Sequence, residues 1–102
     1  MALHPQIAAL AAQLEEMSAL LRDHGDRWWS VKIDLCRNLI ADSNFTGIEK
    51  FLALIGDAGG FADFELRDGE GKLLPAHVRL VELRQAARVL AERLAREERS
   101  AT

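Results

Sequence analysis

Five acidic residues lie within one glycine-rich stretch and are the side chains in this sequence best suited to chemistry. They are Asp57, Asp63, Glu65, Asp68 and Glu70. Grouped carboxylates can hold a cation, transfer protons or contact a basic partner. The stretch is not an EF-hand loop, because Gly59 and Phe61 stand where oxygen ligands are needed. No Lys-Ser or Lys-Thr pair follows the glycines, as a phosphate loop requires. The five carboxylates are therefore a candidate interaction surface, and the glycine-rich turn beside them has either a structural or a functional role.

Cysteine and histidine add little further chemistry. Cys36 lies inside an apolar helical segment, where a small buried hydrophobe is expected rather than a nucleophile. His4, His24 and His77 lie far apart near predicted helix ends, without the one-turn spacing of a paired metal site. No catalytic, metal-binding or cofactor-binding residues are assigned, and no cofactor is expected.

Four helices are predicted to position these residues, over about 5–23, 26–43, 47–55 and 75–99. Pro5 suits the first position of a helix, and Thr46 with Glu49 forms a capping box before the third. The glycine-rich turn after the third helix precedes residues 64–74, which can form a short β-hairpin. The expected fold is an all-α, or nearly all-α, compact bundle of about four helices. It forms one domain over residues 1–102, with a frayed end from about residue 100.

The second predicted helix is apolar on two sides, which is typical of a central helix. Its core residues and those of the following segment are then expected to be mostly buried. These are Trp28, Leu35, Cys36, Leu39, Phe51, Leu52 and Phe61. At least one of Gly56, Gly59 and Gly60 is expected to have a positive φ, because the chain must turn sharply there.

The last helix carries leucines at helical spacing with alternating arginine and glutamate beside them. Leu80, Leu83, Leu90 and Leu94 are the candidate self-association residues. Two interpretations remain open: helix one covers these leucines, or they pair two copies of the chain in a homodimer.

Residues 28–66 resemble a family of small uncharacterised bacterial proteins that carry a Gly-Gly-Met-Gly-Ser-Phe-Asn-Asp motif after a short helix. The matching positions are Trp29, Asp42, Gly47, Phe51, Leu52, Gly56, Gly59, Phe61 and Asp63. Asp57, Gly60 and Ala62 depart from the motif. The resemblance implies a helical fold and a bacterial origin. No activity of the family is known, although such proteins sometimes lie beside toxin genes.

Composition limits the function classes. The chain has 13 basic and 16 acidic residues, a formal charge of −3 and 49% hydrophobic residues. This net charge disfavours nucleic acid as a partner, because phosphate binding depends on lysine and arginine. Neither a signal peptide nor an 18-residue apolar run is evident, so a cytoplasmic protein without membrane association is expected.

Two functions remain under consideration. The first is a non-catalytic protein–protein interaction module, self-associating or bound to another protein, with an immunity-type neutralising protein as one version. The alternative is a small-ligand-binding protein or enzyme, with a pocket near the Trp28/Trp29 helix and the Gly56–Asp63 loop. Asp34 and Arg37 would also line that pocket.

Overall fold

The computed structural model describes residues 4–56 and 60–101. The helices of this part are α1 (Pro5–Asp23), α2 (Trp28–Ala41), α3 (Thr46–Gly56) and α4 (Ala76–Ala101), with a single 3₁₀ turn at Phe61–Asp63. The described residues contain no β-strand, so the predicted all-α fold is confirmed.

Local capping explains where α1 and α2 begin. The backbone N–H of Gln6 donates to Nδ1 of His4 at 3.1 Å, and Pro5 takes the first helical position. At α2, the Asp26 carboxylate accepts from the backbone N–H groups of Trp29 at 2.9 Å and Ser30 at 3.2 Å. These side chains satisfy N–H groups that the first helical turn leaves without a partner.

Helix α3 begins one residue earlier than predicted. Thr46 is itself the first residue of the helix rather than its predicted N-cap, and its backbone N–H donates to the Asn44 side chain at 3.0 Å. Gly47 packs directly on α2, where an added Cβ would lie 2.8 Å from the Cβ of Leu39. Since real Cβ atoms do not approach so closely, glycine is needed for α3 to lie at this distance from α2.

The predicted hairpin is reduced to one antiparallel bridge, between Arg67 and Leu73. Around it, the N–H of Asp68 donates to the Lys72 carbonyl at 2.8 Å, and Gly71 takes a φ of +84°. Neither Gly56 nor Gly60 has a positive φ, so the predicted positive φ at one or more of Gly56, Gly59 and Gly60 stays a prediction that depends on Gly59. Gly59 and Asp57 lie outside the described residues.

The four helices share one apolar core in which α1 packs against both α2 and α4. Leu10, Leu14 and Met17 of α1 are fully buried. On α4, alanines 87, 91 and 95 recur every four residues and are also buried. Small side chains at this spacing form a shallow ridge that lets neighbouring helices approach closely.

The leucines proposed for self-association belong mostly to this core. Leu80, Leu83 and Leu94 are buried, and Leu90 is half-buried against the core. Leu80, Leu83 and Leu94 are therefore not available as a docking surface, because the chain covers them itself, whereas Leu90 keeps a partly exposed side chain. Pairing of two copies stays a prediction and requires another surface.

Helix α2 is oriented differently from the prediction. Cys36, Phe51 and Phe61 are buried as expected, and Leu39 and Leu52 are half-buried. The predicted burial of Trp28 and Leu35 is wrong, since both are exposed. Helix α2 packs against α1 and α3, and neither of them covers the side that carries Trp28 and Leu35, so this apolar side faces outward.

Across residues 4–56 and 60–101, every helix is either too short or too polar to cross a lipid bilayer.

Candidate interaction surface on helices α2 and α3

The outward side of α2 carries three large exposed apolar side chains. Trp28, Val31 and Leu35 are 67%, 63% and 55% exposed. They follow one another at intervals of three and four residues and so form a continuous line along the helix, here called the outer stripe. Ile33, on the opposite side, is fully buried. Isolated exposed apolar residues are normal, but a contiguous line of this kind marks an interaction surface.

A groove between α2 and α3 adjoins the outer stripe. Its lining combines apolar and basic side chains: Trp29, Lys32, Leu35, Cys36, Lys50, Ala53 and Leu54. Lys32 and Lys50 are the charged members of that lining. Lys32 also lies over the Trp28 ring, with its Nζ 4.4 Å from the ring centroid. The α2–α3 groove is therefore positively charged at its rim and apolar along its floor.

Cys36 lies in the floor of this groove as a neutral thiol. Burial raises the pKa of the Cys36 thiol to about 11, and the nearby Lys50 ammonium only partly opposes this effect. A thiol with a raised pKa forms little of the thiolate that acts as nucleophile or metal ligand. Cys36 consequently packs as a small hydrophobe, in agreement with its predicted burial.

Trp29, which lines the groove, also belongs to an aromatic cluster. The ring centroids of Trp29 and Phe61 are 5.3 Å apart, and Phe64 lies 6.2 Å from Trp29 and 6.3 Å from Phe61. Tilted and offset arrangements at these distances are favourable. The cluster joins α2 to the connection that precedes α4, and it fixes the position of Trp29 in the groove wall.

Arg84 of α4 holds the same connection from the other side. Its Nη1 donates to the backbone carbonyls of Phe61 at 2.8 Å and Phe64 at 2.9 Å. Burial lowers the pKa of Arg84 from its ordinary value, while Asp63 and Glu65 oppose this shift. Sequence reasoning missed this contact, because a bond from a side chain to backbone carbonyls leaves no pattern in the sequence.

The predicted acidic surface is largely occupied by local structure. Asp68 accepts from the backbone N–H groups of Glu70 at 2.8 Å and Lys72 at 3.0 Å, which organises the turn. Glu65 pairs with Arg67 at 2.7 Å, and this hydrogen bond lowers the pKa of Glu65. Asp63 is exposed. The four described carboxylates therefore share the connection before α4, but none of them lines the α2–α3 groove.

The residues of the predicted ligand pocket do not converge. Trp29 lines the groove, while Asp34 instead pairs with Arg22 of α1 at 2.5 Å. Trp28 lies on the outer stripe, and neither Arg37 nor Asp63 lines the groove.

The histidines serve local structure. His4 caps α1, and Nδ1 of His77 accepts from the backbone N–H of Leu66 at 3.2 Å. Nδ1 of His24 lies 3.0 Å from the Leu20 carbonyl oxygen. Among the described residues, no three His, Cys, Asp or Glu side chains group as a metal site would require.

Comparison of the chain with known protein families, curated proteins and solved structures finds no match in any of the three. The resemblance of residues 28–66 to a bacterial family therefore stays a prediction.

Proposed function

We propose that this protein is a non-catalytic protein–protein interaction module whose docking surface is the outer stripe together with the α2–α3 groove. The observation that carries the proposal is the exposed line of Trp28, Val31 and Leu35 on a helix whose other side is buried. Tryptophan dominates the energetics of many interfaces because it buries a large area at a small cost in conformational entropy.

The chemistry of the surface favours an amphipathic helix with acidic flanks as its partner. An apolar groove between two helices accepts side chains at helical spacing from a third. Lys32 and Lys50 at the rim attract carboxylates, so acidic residues beside the partner's apolar side chains would add orientation and a faster association rate.

As predicted from the sequence, the neutralising version of the function would use a different face of the protein. It relies on the acidic residues before α4, of which Glu65 and Asp68 already have local partners. Among the described residues, the outer stripe side chains have no comparable local partner apart from Lys32, which contacts Trp28. An immunity-type role therefore remains a form of the proposal in which the toxin would dock on the α2–α3 groove.

A paired set of variants tests the docking surface. Affinity capture from the native host, followed by mass spectrometry, identifies candidates, and each candidate is then produced and its binding measured by calorimetry. Trp28→Ser with Leu35→Ser removes the outer stripe. Val78→Ser with Val81→Ser is the matched control, since it removes two exposed apolar side chains from α4.

The expected result is selective loss of binding. Loss of a central tryptophan costs about 2 kcal/mol or more, so the stripe variant should bind at least about thirtyfold more weakly. The α4 control should bind the partner as the wild type does, and Lys32→Glu with Lys50→Glu should weaken binding most at low salt. A partner that binds the stripe variant with unchanged affinity would overturn the proposal, as would the recovery of no specific partner.

A further inference from the structure

Three valines lie on the side of α4 that faces away from the core. Val78, Val81 and Val89 are 64%, 42% and 47% exposed. Valine is a weaker helix former than alanine, glutamate or lysine, which are the usual residues on the solvent side of a helix. In the part of the chain that the structure describes, none of the three valines packs against the core, so packing within one chain does not account for them.

A shallow groove lies on this side of α4, and the residues that line it are spaced symmetrically along the sequence about one centre. It is lined by Glu82, Gln85, Ala86, Val89, Leu90 and Arg93, here called the α4 outer face. The symmetry is centred between Ala87 and Arg88. Glu82 lies five residues before Ala87, and Arg93 lies five residues after Arg88.

The inner members of the α4 outer face are spaced symmetrically about the same centre. Gln85 and Leu90 are each two residues outside the central pair, and Ala86 and Val89 are each one residue outside it. An interface between two copies related by a two-fold axis brings each residue opposite its mirror position on the partner. Antiparallel pairing about this centre therefore sets Glu82 opposite Arg93 at both ends of the contact.

Parallel pairing of the two α4 helices is unfavourable. Parallel pairing about a two-fold axis would place Glu82 beside Glu82 and Arg93 beside Arg93, which sets like charges together at both positions. Antiparallel pairing replaces those two repulsions by two attractions, with the small Ala86 and the apolar Val89 between them. Charge complementarity thus selects both the partner, a second copy, and its direction.

The charged groups are available for such a contact. In the described part of the chain Arg93 has no ion-pair partner. Glu82 accepts from Nη1 of Arg79 at 3.2 Å, but its side chain is 59% exposed. Arg79 is itself anchored by Glu16, at 2.7 Å. A carboxylate has room for a further donor, so Glu82 can accept from a second guanidinium.

We propose that a second copy of this chain docks on the α4 outer face, antiparallel to the first, about a two-fold axis near Ala87 and Arg88. Two intermolecular ion pairs between Glu82 and Arg93 flank an apolar centre. The inference is independent of the proposed function, because the α2–α3 groove remains open in the dimer for another partner.

Light scattering and sedimentation at micromolar concentration test the dimer with charge-reversal variants. Wild-type protein should have twice the chain mass of 11.3 kDa. Glu82→Arg alone and Arg93→Glu alone should each weaken the dimer by about tenfold or more, since each places like charges opposite one another twice. Lys72→Glu is the control for Arg93→Glu, because it makes the same charge change on the exposed turn.

Mixing the two single variants gives the sharpest result. In the mixed pair, the arginine introduced at position 82 of one copy faces the glutamate introduced at position 93 of the other. The unaltered Arg93 faces the unaltered Glu82 at the other end, so the two variants should associate with each other. The double variant should again form a dimer with itself.

Circular dichroism confirms that each of these variants keeps its helicity. A monomeric wild-type protein, single variants that remain dimeric, or a mixture that fails to pair would each overturn the proposal.

Discussion

Replacing Arg84 by glutamine removes the charged group that ties the connection before α4 to the helix bundle. Nη1 of Arg84 donates to the carbonyls of Phe61 and Phe64, at 2.8 and 2.9 Å. The guanidinium carbon also lies 5.4 Å from the centroid of the Phe61 ring. Glutamine retains part of the aliphatic stem but loses both the charge and the reach of the guanidinium.

These contacts set the free energy of unfolding that Arg84→Gln is expected to lose. A hydrogen bond from a charged donor contributes about 1.5–3 kcal/mol. Both bonds use one nitrogen, so their contributions do not simply add, and the contact with the Phe61 ring contributes about 0.5–1 kcal/mol. We therefore expect Arg84→Gln to lower the free energy of unfolding by about 2–3 kcal/mol. With a urea dependence of about 1–3 kcal/mol per molar, the midpoint should fall by about 0.7–3 M.

Urea unfolding followed by circular dichroism measures this change. Arg88→Gln is the matched control, because Arg88 lies one turn further along α4 and pairs with Glu92 on the surface at 2.9 Å. Loss of such an exposed pair costs about 0.5 kcal/mol or less. Arg84→Lys keeps the charge and should recover part of the stability. Equal midpoints for Arg84→Gln and Arg88→Gln would refute the role given to Arg84.

Gly47, Cys36 and the pair of Arg79 with Glu16 allow three further tests. Gly47→Ala should lower the free energy of unfolding by about 1–3 kcal/mol, because its Cβ would lie 2.9 Å from the Cys36 carbonyl oxygen. Gly56→Ala is the control and should not lower it, since the added Cβ meets no described atom within 4 Å. Equal urea midpoints for Gly47→Ala and Gly56→Ala would contradict the tight contact between α2 and α3. Because burial raises the pKa of Cys36 to about 11, iodoacetamide should modify the native thiol at pH 8 about a hundredfold more slowly than in the urea-unfolded chain. Comparable rates would show that the thiol is accessible. The hydrogen bond from Arg79 lowers the pKa of Glu16, so this pair stabilises the fold above the ordinary carboxyl pKa and less as the pH falls through the lowered value. In Arg79→Gln the Glu16 titration followed by NMR should move up to the ordinary value, and an unchanged midpoint would contradict the pairing.

The helices follow closely from local patterns in the sequence. Pro5 and Gly25 bound α1 where predicted, because their backbone preferences act within a few residues. The orientation of α2 could not be derived in this way. Both of its sides carry apolar residues at helical spacing, so periodicity alone does not decide whether Leu35 or Ile33 faces the core. That choice depends on which neighbours cover the helix, and the packing of α1 and α3 decides it.

Local sequence patterns also did not decide which side chains form the candidate surfaces. Leucines on α4 were recognisable as one apolar side, but whether α1 or a second copy covers Leu80 depends on tertiary packing. The carboxylate of Asp68 was recognisable as a polar group in a turn, yet the backbone N–H groups it accepts from are fixed only by the folded chain. The two exposed surfaces were missed because the prediction assigned the apolar side chains of α2 and α4 to the core or to a leucine seam.

The two adjacent tryptophans lie in opposite environments, and this gives the protein two intrinsic optical reporters. Trp28 is exposed on the outer stripe, while Trp29 is half-buried against the rings of Phe61 and Phe64. The chain contains no tyrosine, so no second fluorophore overlaps their emission. A chain that retains only Trp28 emits at long wavelength and reports occupancy of the groove, whereas one that retains only Trp29 emits further to the blue and reports detachment of the connection. Partner binding and local opening can thus be followed separately with two single-tryptophan variants, without an attached dye.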